Sequence, residues 1–87
     1  MSLHLVFSAA GLRACQERIG ADDELLLLGD GVYAGTGSDA RWPCTVHALS
    51  DDVLARGLAE QMTVPVISYA GFVALCTRHT PVVSWAR

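Results

Sequence analysis

Residues 25–28 are four consecutive leucines, set between Glu24 and Gly29. A strand with one wet face alternates apolar and polar positions, and this run does not. It predicts a strand covered on both faces, as in a parallel sheet held between layers of helix. The flanking pattern supplies the rest of the sheet. Residues 3–7 read as a first strand, apolar except for His4. Residues 9–19 carry Leu12, Cys15 and Ile19 at the spacing of one helix face, and Gly20 is placed to stop that helix. The second strand covers 24–28, Val32 to Ala34 a turn or two of helix, and 35–38 a glycine-rich loop. Pro43 opens a third strand over 44–49. Ser50 followed by Asp51 and Asp52 reads as an N-cap with acids in the first turn, starting a short helix over 51–56 that stops at Gly57. Residues 64–68 form a fourth strand whose early part lacks a ladder donor at Pro65. A helix over 69–79 turns Phe72, Val73, Leu75 and Cys76 inward, and 81–85 is a terminal strand. This alternation predicts an α/β fold: a three-layer α/β/α sandwich on a mostly parallel five-stranded sheet, in one domain spanning 1–87.

Composition changes the picture in two ways. Apolar residues are 52% of the chain and charged ones 17%, against about 25% charged in ordinary domains. A domain of 87 residues with so much apolar surface is expected to cover part of it against other subunits. The net charge is −3 and the 6 basic residues are all arginine, scattered without a stripe. Direct nucleic-acid binding is therefore disfavoured, because phosphate contacts supply most of that affinity. No charged segment followed by an apolar stretch opens the chain, and no apolar run approaches membrane-spanning length. The expectation is a cytoplasmic protein, with no membrane contact, whose three cysteines are free thiols.

Several residues invite chemistry. In parallel sheets the loops leaving the carboxyl ends of strands form the usual working edge, and Gly29-Asp30-Gly31-Val32-Tyr33 would sit there. Asp-Gly between apolar runs is also a hairpin signal; the doubly covered leucine run favours a strand-to-helix turn. Asp30, Gly31 and Tyr33 thus mark a loop edge at which Asp30 either binds a ligand or caps the next helix. Cys15 faces inward with Leu12 and Ile19, where a free cysteine usually acts as a small hydrophobe; a reactive thiol needs partial exposure and positive surroundings. Cys44 and Cys76 read as core. His4 and His47 fall in strands and His79 ends a helix, so no two ligand types share a loop at metal-binding spacing, and no metal or other cofactor is expected. The glycine-rich 31–37 segment matches no phosphate-binding frame. Trp85 is either core or an aromatic anchor at an interface.

Taken in order, several segments resemble the TusB/DsrH family of sulfur-relay proteins, within the DsrE/DsrF/DsrH-like superfamily. They are the Met-Ser-Leu-His opening, Asp23-Glu24 leading through the leucines to Asp30-Gly31-Val32-Tyr33, Val46-His47-Ala48-Leu49, and Asp52 with Leu54-Ala55-Arg56-Gly57-Leu58. Tyr69-Ala70-Gly71-Phe72-Val73-Ala74-Leu75, His79 and the near-terminal Trp85 complete the match, which covers nearly the whole chain. The resemblance implies a subunit of a hetero-hexamer with TusC/DsrF-like and TusD/DsrE-like partners, passing persulfide sulfur between cysteines. In the TusB branch that sulfur ends as 2-thiouridine at the tRNA wobble position; in the DsrH branch it serves sulfur oxidation. DsrH-like members carry a cysteine near the position of Cys15, which makes Cys15 a candidate persulfide carrier in an otherwise structural subunit. The loop over 35–43 looks shortened against the family pattern. The readings from other classes are a non-catalytic, self-associating assembly module and a small-ligand binder using the 29–37 edge.

Overall fold

The computed structural model describes residues 2–37, 42–79 and 81–85. Five strands, β1 (Leu3–Val6), β2 (Glu24–Leu27), β3 (Thr45–Leu49), β4 (Val66–Ile67) and β5 (Val82–Trp85), form one sheet in the order β4-β3-β2-β1-β5. Every pairing among the described strands is parallel. The helices are α1 (Ala9–Gln16), α2 (Ser50–Ala55) and α3 (Tyr69–Arg78), and a 3-10 helix covers Gly29–Gly35.

The chain steps from β1 to β4 in one direction, with α1, the 3-10 helix and α2 as its crossovers. All three pack on one face of the sheet, where Cys15, Val32 and Val53 meet Val6, Leu25, Leu27, Val46 and Ala48. The return to β5, beside β1, brings α3 to the opposite face, where Leu75 meets Leu3, Leu5, Leu26, Leu28 and Leu49. The four leucines divide by parity, two to each face, and Leu25, Leu26 and Leu27 are fully buried. The doubly covered strand expected from that run is therefore present, at the centre of a three-layer α/β/α sandwich.

Local chemistry sets the helix starts. The Ser8 hydroxyl accepts a hydrogen bond from the Gly11 amide at 3.0 Å, and Ser68 accepts from Gly71 at 3.1 Å; each satisfies one of the amides left open at a helix N-terminus. Ser50 does not act this way. It is the first helical residue of α2, whose cap position, Leu49, makes no side-chain bond. Three boundaries differ from the pattern-based reading. α1 ends at Gln16 rather than near 19, and the 3-10 helix runs the full length from Gly29 to Gly35. β4 is only two residues long, because Pro65 enters the ladder solely as an acceptor, its carbonyl taking the Ala48 amide at 2.9 Å. In the loop over 35–43, residues 38–41 lie outside the described residues.

Candidate functional site

The carboxyl edge holds the turn singled out from sequence. Gly31 is obligatory: a Cβ there would collide with the Val6 carbonyl, so the 3-10 helix lies directly on β1. Asp30 is exposed and takes both Nε and Nη2 of Arg56 on one oxygen, at 3.2 and 3.0 Å. The residue that fixes the turn is Asp52, whose Oδ2 accepts the Gly29 amide at 2.9 Å. Gly29 adopts φ +51, the left-handed region open to glycine. Tyr33 is 52% exposed. The arrangement is an ion-paired turn with an aromatic ring facing outward.

The amino edge holds a polar cluster that reading along the sequence did not assemble. Asp23 and Glu24 are consecutive at the start of β2, and strand geometry sends them to opposite faces. On the α1 face, Asp23 Oδ1 accepts the Ser2 amide at 2.8 Å, and Oδ2 accepts the Gly20 amide at 2.9 Å while lying 3.0 Å from His4 Nε2. The Gly20 and Ser2 amides and the His4 imidazole hold the Asp23 carboxyl down at about 2, outweighing the opposing effect of burial. His4 is buried. Its Nδ1 accepts the indole N–H of Trp85 at 3.1 Å, and the two rings stack with centroids 6.2 Å apart. Because an indole nitrogen only donates, His4 must carry its proton on Nε2, directed at Asp23. Trp85 is half-buried, with its one polar atom turned into the chain.

On the α3 face, Glu24 meets two more imidazoles. His47 Nε2 lies 3.4 Å from Oε2, and His79 Nε2 lies 3.3 Å from Oε1. His79 is buried at the C-cap of α3, and His47 lines a groove beside that helix. All three histidines thus converge on one acidic pair at one end of the sheet. Among the described residues no group of three or more histidines, cysteines and acids is arranged to hold a metal ion.

Cys15 is fully buried among Val6, Leu25 and Val32. Burial, with a smaller contribution from the neighbouring Cys44 thiol, pushes it up to about 11, so at neutral pH it is a thiol and not a thiolate. Cys44 is half-buried and is also raised, by burial first and then by the charges of Asp23 and Glu24. Cys76 is half-buried against the α3-side core. No helix among the described residues is long and apolar enough to cross a membrane.

Comparison with known proteins bears on the family and the fold. The family described as "DsrH like protein" matches residues 6–82. Protein TusB of Sodalis glossinidius is 42% identical over 85 residues, covering 88% of this chain and 85% of that protein. Protein TusB of Serratia proteamaculans is 41% identical over 73 residues, covering 75% of this chain and 77% of that protein. The solution NMR structure of Protein Tm0979 from Thermotoga maritima superposes with a TM-score of 0.71 at 30% identity, covering 93% of this chain and 97% of that one. A family match over residues 6–82, together with relatives this similar over most of their own length, decides the assignment: the chain belongs to the DsrH-like family.

Proposed function

We propose that this protein is the TusB-type subunit of a cytoplasmic sulfur-relay complex that delivers persulfide sulfur for 2-thiolation of the tRNA wobble uridine, and that its own role is to hold the complex together. The observation carrying this reading is the similarity to proteins called TusB across 88% of the chain. It is favoured over the sulfur-oxidation branch because relatives 37–42% identical over most of the chain bear the TusB name. The partners are a TusC-like and a TusD-like subunit in a hetero-hexamer, and those subunits, not this acidic chain, meet the tRNA. The excess of apolar residues supports life inside an assembly. The exposed Asp30 and Tyr33 on the carboxyl edge, and the outer side of Trp85, are offered as contacts to those subunits.

Cys15 serves in this reading as a packing residue of the resting subunit. It carries sulfur only if contact with a partner opens α1, since persulfide transfer needs an accessible thiolate. Two measurements test the proposal. Co-expression with TusC-like and TusD-like subunits should yield one stable complex, and deleting this chain should lower 2-thiouridine in bulk tRNA. Normal thiolation without the chain, or purification of the other two subunits as a complete complex in its absence, would overturn it. Incubation of the assembled complex with a cysteine desulfurase and cysteine, followed by mass spectrometry, should add sulfur to a partner cysteine and leave Cys15 unmodified.

A further inference from the structure

The face of α3 that turns away from the sheet is unusual for a solvent-facing helix. Tyr69 and Val73, one turn apart, are 61% and 45% exposed, so Val73 faces outward and not inward as expected from its spacing, and Ala70 and Ala74 beside them are exposed too. Arg78 is the one charged residue in the helix. A helix that is apolar on both faces is normally covered on both. Next to this stripe an open groove of ≈ 310 Å³ runs between α3 and the β3–β4 border, lined by His47, Ile67, Gly71, Ala74, Leu75 and Arg78 among others. That volume lies at the small end of the ~300–1,000 Å³ range of ligand pockets. It has room for a side chain or two and not for a folded element. Beyond it β4 is the edge strand of the sheet, and Val66 on it is 42% exposed.

The charges around the groove select the occupant. Arg78 has no ion-pair partner among the described residues. Glu24, behind His47, lies 3.4 Å from it and 3.3 Å from His79, but it is largely buried and its Oε2 has no hydrogen-bond partner, so it faces no docking chain. The rim is thus cationic through Arg78 and its floor is apolar. A second copy of this chain docking through the same face would bring Arg78 and no available acid, because a two-fold interface pairs identical surfaces. The complementary occupant is a different chain that presents an apolar side chain next to an aspartate or glutamate.

We infer that the α3 groove, with Arg78 at its rim, docks an acidic-tipped apolar segment of a neighbouring relay subunit. The inference rests on the assembly reading above and adds to it the surface and the chemistry of the contact. The apolar side chain fills the space over Ile67 and Ala74, and the carboxylate pairs with the Arg78 guanidinium.

The test is co-expression of the chain with its TusC-like and TusD-like subunits, read by native mass spectrometry and by dissociation of the purified complex on dilution. Two substitutions at exposed positions, Arg78→Glu to reverse the rim charge and Ala74→Trp to fill the groove, are compared with Arg13→Glu on the exposed, opposite-face helix α1. Each variant chain is first checked for an unchanged circular dichroism spectrum and melting temperature. Arg78→Glu is expected to weaken assembly about tenfold or more at low salt, and less at 1 M salt. Ala74→Trp should abolish assembly, and Arg13→Glu should leave it unchanged. Assembly within twofold of wild type for both groove variants would overturn the inference while leaving the relay reading intact. Self-association of the isolated wild-type chain that both groove variants abolish would also overturn it, by assigning the groove to a second copy. A wild-type chain that fails to assemble at all refutes the relay reading, and the inference with it.

Discussion

Replacing Asp23 with asparagine disturbs a carboxylate on which three donors converge. The substitution keeps the size of the side chain, but its amide nitrogen cannot accept a hydrogen bond. Of the three donors that converge on the carboxylate, the Ser2 and Gly20 amides and His4 Nε2, at 2.8, 2.9 and 3.0 Å, the one remaining oxygen cannot serve all. A carboxyl held at about 2 in the fold, against 3.8 when free, contributes about 2 kcal/mol to stability at neutral pH. The sign is fixed by the direction of the shift. The contribution is complete above the unfolded value of 3.8 and is lost as pH falls through the folded value near 2. Roughly half of it should be gone by pH 3. In a domain of this size about 2 kcal/mol corresponds to a fall in melting temperature of roughly 8–16 °C. Urea unfolding of wild type and Asp23→Asn, followed by circular dichroism at several pH values between 7 and 3, measures the gap directly. The gap should be widest at pH 7 and should narrow below pH 4. A gap that is constant across the range, or one below about 0.5 kcal/mol at pH 7, would refute the assignment of Asp23 as the ionised clamp of the amino edge.

Three further outcomes are expected. Gly31→Ala should destabilise by about 2 kcal/mol or more in urea, because the added methyl meets the Val6 backbone carbonyl and not a yielding side chain; a loss no larger than that of an exposed helical substitution would contradict the packing of the 3-10 helix on β1. Maleimide at neutral pH should label Cys15 last in the native chain, behind the half-buried Cys44 and Cys76, and all three together in denaturant; rapid native labelling of Cys15 would show that α1 opens. Trp85→Phe should cost about 1–2 kcal/mol by leaving His4 Nδ1 without its donor, and nitrogen NMR of the wild-type His4 ring should report the Nε2–H tautomer, whereas a proton on Nδ1 would refute the Trp85 bond.

The fold was legible because the signals that build it are local. Four leucines in a row need cover on both faces wherever they lie, whereas the caps Ser8 and Ser68, which act through amides three residues away, were not read from the sequence. The carboxyl-edge turn was legible as a place and not as a mechanism. Asp30 attracts notice as the acid between two glycines, yet it is ion-paired and exposed, and the oxygen that fixes the turn comes from Asp52, 22 positions further along in α2. Ser50 was misread for a related reason: its chemistry suits a cap, but the strand runs straight into the helix and leaves Leu49 in the cap position.

The histidine cluster was illegible for a deeper reason, since nothing local links its members. His4, His47 and His79 look scattered until the register is known, when β1 and β3 flank β2 and α3 returns its C-terminus to the same end of the sheet. A strand then does what a helix cannot: it sends the neighbours Asp23 and Glu24 to opposite faces, so that two adjacent acids gather polar groups from both layers. One sequence signal was available, an acidic pair leading into an otherwise wholly apolar inner strand, where an unpaired carboxylate is costly to bury. Reading those acids as anchors that require partners would have directed attention to the histidines of the flanking strands. The same consideration separates the two ends of the sheet in their polar chemistry. The amino edge gathers its own carboxylates and imidazoles, whereas Tyr33 at the carboxyl edge and the stripe of Tyr69 and Val73 on α3 are exposed.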